Sequence, residues 1–141
     1  MSSIKKTSSI IIVAIIVAGV AFSITDQLNT KESHILDQIE FYAVYLESSK
    51  TVQISFIDKS NQTQSAILEV LGMDVTYHQE YLFENKSIFV EKMYLESIPK
   101  YGWKTTPVTL EIQHSEFGKV GLKTEIHELE QPKPKVIVEG K

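Results

Sequence analysis

The chain has 141 residues, 14 basic and 18 acidic side chains, a formal charge of −4 and no cysteine. Every basic residue is Lys, so bidentate guanidinium clamping of phosphate or carboxylate is unavailable, and the lack of Cys excludes disulfides, thiol catalysis, iron–sulfur clusters and Cys-based zinc sites. An acidic surface argues against a nucleic-acid partner, which needs a basic patch.

The first element in chain order is residues 8–25, SSIIIVAIIVAGVAFSIT, without charge or proline. As a helix it would be about 27 Å long at roughly 1.5 Å per residue, close to the ~30 Å hydrocarbon thickness of a bilayer. Lys5 and Lys6 precede it, while Asp26, Glu32 and Asp37 follow. That bias predicts a membrane partner through residues 8–25, with the N-terminus cytoplasmic and residues 26–141 extracytoplasmic. A cleavable signal is the alternative, with residues 10–20 as its apolar core and small residues at 19–21 or 21–23 for cleavage. Gly19 permits close helix contact, but no second Gly stands at the spacing that would pair with it. The chain then divides into an anchor or signal (1–25), a polar tether (26–34), a β domain (35–130) and an extended Pro/Lys tail (131–141).

From Ile35 the pattern turns to alternation rich in β-branched and aromatic residues. Residues 35–46 read as a strand, although Ile35, Ile39, Ala43 and Leu46 also fit a helical stripe. A turn at Ser48-Ser49 sets Tyr45 opposite Val52, Ala43 opposite Ile54 and Phe41 opposite Phe56, an apolar face throughout. Thr63 to Leu71 reads as a further strand ended by Gly72. A turn at Asn85-Lys86 would set Phe83 opposite Ile88, Tyr81 opposite Val90 and Tyr77 opposite Tyr94. A loop Glu116-Phe117-Gly118, with Gly118 left-handed, would pair Val108 with Ile126, Leu110 with Thr124 and Ile112 with Leu122. Trp103, between Pro99 and Pro107, is expected to plug one end of the domain. In the tail, Pro132 and Pro134 favour extended chain, and Val136 to Val138 can add to a sheet edge or stay disordered. About seven strands of this spacing predict a mainly β fold: an N-terminal transmembrane helix followed by an antiparallel two-sheet sandwich.

Motifs for chemistry are sparse. There is no nucleophile elbow, HExxH, P-loop, GxGxxG or calcium loop, so no catalytic, cofactor-binding or metal-ligating residue is assigned and no cofactor is expected. Asn61-Gln62-Thr63 and Asn85-Lys86-Ser87 are N-x-S/T sequons in turn segments, making Asn61 and Asn85 glycosylation candidates. Four histidines remain, His34, His78, His114 and His127. The register above sets His78 opposite Met93, a pairing copper accepts, but solvated strand histidines are the simpler expectation.

In strand count and hairpin pattern the body resembles immunoglobulin-like and fibronectin-type modules, without their Cys–Trp–Cys signature. Lys5-Lys6-Thr7-Ser8-Ser9 leading into Ile10–Ala21 is similar to the N-terminus of archaeal pilins and archaellins, although no Gly follows the basic pair. The first resemblance implies the fold alone; with the apolar stretch and the sparse motifs, the leading expectation is a protein-binding or accessory module, without enzymatic activity, anchored on the extracytoplasmic side of the membrane. The second implies a filament subunit. A small secreted enzyme or metal carrier is the third expectation.

Overall fold

The computed structural model describes residues 29–139. The described residues belong to two compact units, one ending at His34 and one beginning at Ile35. Of the first, residues 29–34 are described, and they are helical. The helix runs on to residue 38, so the stripe of Ile35 and Ile39 is helical at its start and becomes strand at Ile39.

Among the described residues no helix is long and apolar enough to cross a membrane. Residues 8–25 lie outside the described residues. Against the expectation of a transmembrane, single-pass signal-anchor fold, the described residues are mainly β and hold no membrane-spanning helix. The α-helix that is described, residues 29–38, reads NTKESHILDQ, with only two large apolar side chains.

The second unit is built of eight strands: β1 (Ile39–Leu46), β2 (Thr51–Asp58), β3 (Thr63–Val70), β4 (Tyr77–Leu82), β5 (Ile88–Tyr94), β6 (Pro107–His114), β7 (Gly118–Glu128) and β8 (Ile137–Glu139). They form one sheet in the order β4-β3-β6-β7-β1-β2-β5, with β8 paired to β7 off this path. The expected two-sheet sandwich is thus corrected to a single sheet curled into a half-barrel. The reason is a short parallel ladder, Ala43–Tyr45 of β1 against Ile126–Glu128 of β7. It joins a wing of β1, β2 and β5 to a wing of β4, β3, β6 and β7.

Inside the curl the two wings share one core. Phe41, Ile54, Phe56 and Phe89 come from one side, Leu68, Val70, Leu110 and Leu122 from the other, all buried. The β1–β2 register has Tyr45 opposite Val52, Ala43 opposite Ile54 and Phe41 opposite Phe56, as the alternating apolar face requires. In the β6–β7 hairpin, Leu110 meets Leu122 and Ile112 meets Val120, two residues away from the expected register. A slip of two leaves every side chain on its own face, so the hydrophobic pattern cannot distinguish the two registers. The loop is Ser115–Phe117, and Gly118, at φ 73°, closes it opposite His114.

The expected β4–β5 hairpin is absent. β4 pairs with β3 and β5 with β2, so the two strands lie at opposite ends of the sheet order. Asn85-Lys86 lacks the glycine that a tight hairpin turn favours. The connection is held instead by backbone bonds to other elements: Phe83 N–H to the Gln64 carbonyl (2.9 Å) and Asp58 N–H to the Ser87 carbonyl (2.9 Å).

Just beyond β3 stands Gly72, whose φ is +79°, and a Cβ there would lie 1.8 Å from the Thr105 carbonyl oxygen. Gly102 has the same backbone sign but open space around it. Gly72→Ala is therefore expected to lose about 2–3 kcal/mol, since backbone strain is joined by a steric collision, and Gly102→Ala only about 1 kcal/mol. Urea midpoints of the two variants measure the difference, and equal midpoints would show that the Thr105 approach is not close.

A candidate partner-binding face on β5

Asp58, at the end of β2, is buried. Its carboxylate accepts from the backbone N–H of Ser60 (2.9 Å), Gln62 (2.9 Å) and Thr63 (2.8 Å) and from the hydroxyls of Ser60 (2.6 Å) and Thr63 (2.8 Å). Burial alone would raise its pKa, but the hydrogen bonds from Ser60 and Thr63 outweigh it and hold the carboxyl below the usual range.

His114 Nε2 lies 3.3 Å from Asp58 Oδ2 and 3.3 Å from Ser60 Oγ. Its Nδ1 accepts from the backbone N–H of Glu116 (3.1 Å) and Phe117 (3.2 Å), which assigns the proton to Nε2. Ser, His and Asp therefore meet without forming a triad. Serine and aspartate sit on the same ring nitrogen, the serine hydroxyl donates to the aspartate, and the nitrogen a base would use is occupied.

Both expected glycan acceptors border this cluster. Asn61 and Asn85 are exposed, but the hydroxyl residues of their sequons are buried. Thr63 bonds Asp58, and Ser87 Oγ donates to the Thr63 carbonyl at 2.7 Å. Asn61 Oδ1 accepts from Ser87 N–H at 3.2 Å. The two sequons thus read physically as two strands of one buried polar plug, a signal the sequence carried as Asn/Ser/Thr spacing but assigned to the surface.

The other histidines disperse. His34 is exposed on the helix. His78 stands opposite Glu69, not Met93, and Met93 is in the core; the imidazole–thioether pairing is corrected with the hairpin that implied it. His78 lies between Glu69 (3.0 Å) and Glu80 (3.2 Å), and bonds to these carboxylates, Glu69 first, raise its pKa. It lines a concavity of about 790 Å³ on the outer face of β3, β6 and β7, where Lys119 pairs with Glu111 at 2.8 Å. Among the described residues no group of three or more His, Asp or Glu could hold a metal ion.

His127 is buried on β7, and burial lowers its pKa despite a bond with the Ala43 backbone. The unfolded chain then binds the proton more readily than the folded one. His127 should contribute stability that is complete above pH 6.5 and declines as pH falls below that value. His78 has the opposite sign, its contribution being complete below pH 6.5 and lost as pH rises through its raised folded value. Stability measured from pH 5 to 8 should lose its acid-side decline in His127→Phe and keep it in His78→Gln. A decline that survives in His127→Phe would sink this assignment.

An exposed apolar row lies on β5, an end strand of the sheet. Its inward side chains are Phe89, Glu91 and Met93. Glu91 is a carboxylate turned toward the core, and it accepts from the hydroxyls of Tyr77 (2.7 Å) and Tyr81 on β4. Tyr81 also stacks on Phe89 with ring centroids 4.0 Å apart. Side chains thus seam the two end strands where no backbone ladder joins them. Burial first, then the Glu91 carboxylate, pushes the Tyr77 hydroxyl up to about 12 and raises Tyr81 further.

The outward side chains of β5 are Ile88, Val90, Lys92 and Tyr94, and the three apolar ones are exposed at 48%, 56% and 68%. The expected hairpin had placed them on its apolar face against Phe83, Tyr81 and Tyr77. The structure turns them to solvent because β5 pairs with β2 instead, where Phe89 meets Phe56 on the core side. An end strand with an inward acid and an outward apolar row is an edge guarded on one face and adhesive on the other. No protein-family model matches this chain, and no curated protein matches it.

Proposed function

We propose that this protein is a binding module that docks an extended segment of another protein along β5. The observation that carries the reading is the exposed row Ile88, Val90 and Tyr94 on a strand that, among the described residues, has no backbone partner strand on one side. A segment added there would gain main-chain hydrogen bonds from β5 and bury alternate side chains against the row. Lys92, in the middle of the row, favours an acidic residue in the incoming segment. Catalysis is not part of the proposal, since the one Ser–His–Asp meeting spends its ring nitrogens on structural bonds.

The test is photo-crosslinking in the native cell from a reactive residue at position 90, with position 109 on the outer face of β6 as control. A discrete adduct with a second protein from position 90 alone, lost when Ile88 and Tyr94 are changed to Ser, is the expected result. Equal adducts from both positions, or adducts insensitive to Ile88→Ser and Tyr94→Ser, would overturn it.

A further inference from the structure

A separate surface is built by the C-terminal tail. The tail reverses after β7 through a turn at Leu129–Gln131, closed by Gln131 N–H to the Glu128 carbonyl (3.0 Å) and Glu128 N–H to Gln131 Oε1 (3.4 Å). It then passes over Trp103, His127 and Tyr101, with Pro132 and Pro134 forming the other wall of a groove of about 630 Å³. Lys133 Nζ sits 4.2 Å from the centroid of the Tyr42 ring, a cation–π contact. Val136 and Val138 pack against the core, and β8 pairs Ile137 with Lys123, Val138 with Leu122 and Glu139 with Gly121.

The site exists because β1 accompanies β7 only over Ala43–Tyr45. Since β6 occupies the whole opposite side of β7 from Gly118 to Glu125, the stretch that β1 leaves open is the one β8 fills. Recognition has two parts: a proline segment against an aromatic wall, then three residues of strand addition.

We propose that the seat of this tail, the open stretch of β7 and the surface beside it, also accepts the tail of a second copy of the chain, giving a strand-exchanged dimer. Every contact of the docked tail lies beyond Gln131, and the reversal that directs it back onto its own β7 rests on two hydrogen bonds in a three-residue turn. Opening that turn carries the same Pro-Lys-Pro and Val-Ile-Val contacts onto a neighbour, so the exchange loses little beyond the turn itself. Leu129, 72% exposed at the turn, adds no packing that would resist opening.

The chain has no native cysteine, which makes the exchange directly readable. Lys123 and Ile137 are directly opposed across β7 and β8, a separation that a disulfide spans. Full-length Lys123→Cys and Ile137→Cys chains, mixed and oxidised, are expected to give mixed disulfide dimers several-fold above either homodimer, increasing with protein concentration. The double variant measures folding at the same positions, by closing within one chain at low concentration. Mixed dimers no more abundant than homodimers, with the double variant closing only internally, would show that the tail stays on its own chain. A double variant that closes neither way would remove the β7–β8 pairing itself, and the proposal with it.

Discussion

Asp58→Ala is expected to destabilise the protein by about 3–5 kcal/mol. The carboxylate is the common acceptor for three backbone N–H groups and two hydroxyls, and His114 leans on it from β6. Removal would take the common acceptor from the donors of Ser60, Gln62 and Thr63, the last of them buried. Asp58→Asn should lose much of the same amount, because one acceptor oxygen becomes a donor pointed at donors. The group also sets the acid limit. Its folded pKa lies below the ordinary 3.8, so its contribution is complete above that value and disappears as pH falls through the lower folded one. Urea unfolding at pH 7 and pH 3 measures both, and a loss under 1 kcal/mol for Asp58→Ala at pH 7 would contradict the network.

Phe56→Ala comes second, at about 3–5 kcal/mol from lost burial and an uncollapsed cavity. Phe56 is 0% exposed, with Phe89 stacked at 5.5 Å and Phe83 tilted at 5.9 Å. It is also where the two ends of the sheet meet, since Phe89 carries Tyr81 on its ring and Phe83 follows β4. Deleting it should loosen β4 specifically. Amide exchange is expected to accelerate in Tyr77–Leu82 more than in β6 and β7, with Phe56→Leu recovering most of the stability. Uniform acceleration across all strands would show instead that the sheet opens as one unit.

How much of this was legible beforehand depends on what periodicity records. Alternation placed Phe41, Ala43 and Tyr45 against Phe56, Ile54 and Val52 because one hairpin face is apolar throughout, so a one-residue slip would set that face against Gln53 and Ser55. At β6–β7 the same signal failed by two residues, since Val108, Leu110 and Ile112 fit Val120, Leu122 and Thr124 as well as their neighbours. Between Tyr77 and Tyr94 it misled outright. Alternation reports which residues share a face, not which strand they face, and adjacent strands in the chain were assumed to pair. That assumption hid the exposed row of β5, the edge carboxylate Glu91 and the union of two wings into one sheet. The Asp58 plug was misread for a different reason: three of its donors are backbone N–H groups, which every sequence supplies alike, and its Ser and Thr hydroxyls read as surface turn residues.

The parallel ladder between β1 and β7 has a consequence for biosynthesis. Residues 43–45 find their partners at 126–128, so β1, although made early and quickly folded onto β2, waits for more than eighty intervening residues before its other side is covered. On a ribosome translating N-terminus first, β1 and β2 present an open, β-branched edge throughout that interval. A nascent chain arrested before β7 should therefore be a strong substrate for holding chaperones, and one released beyond Glu128 a poor one.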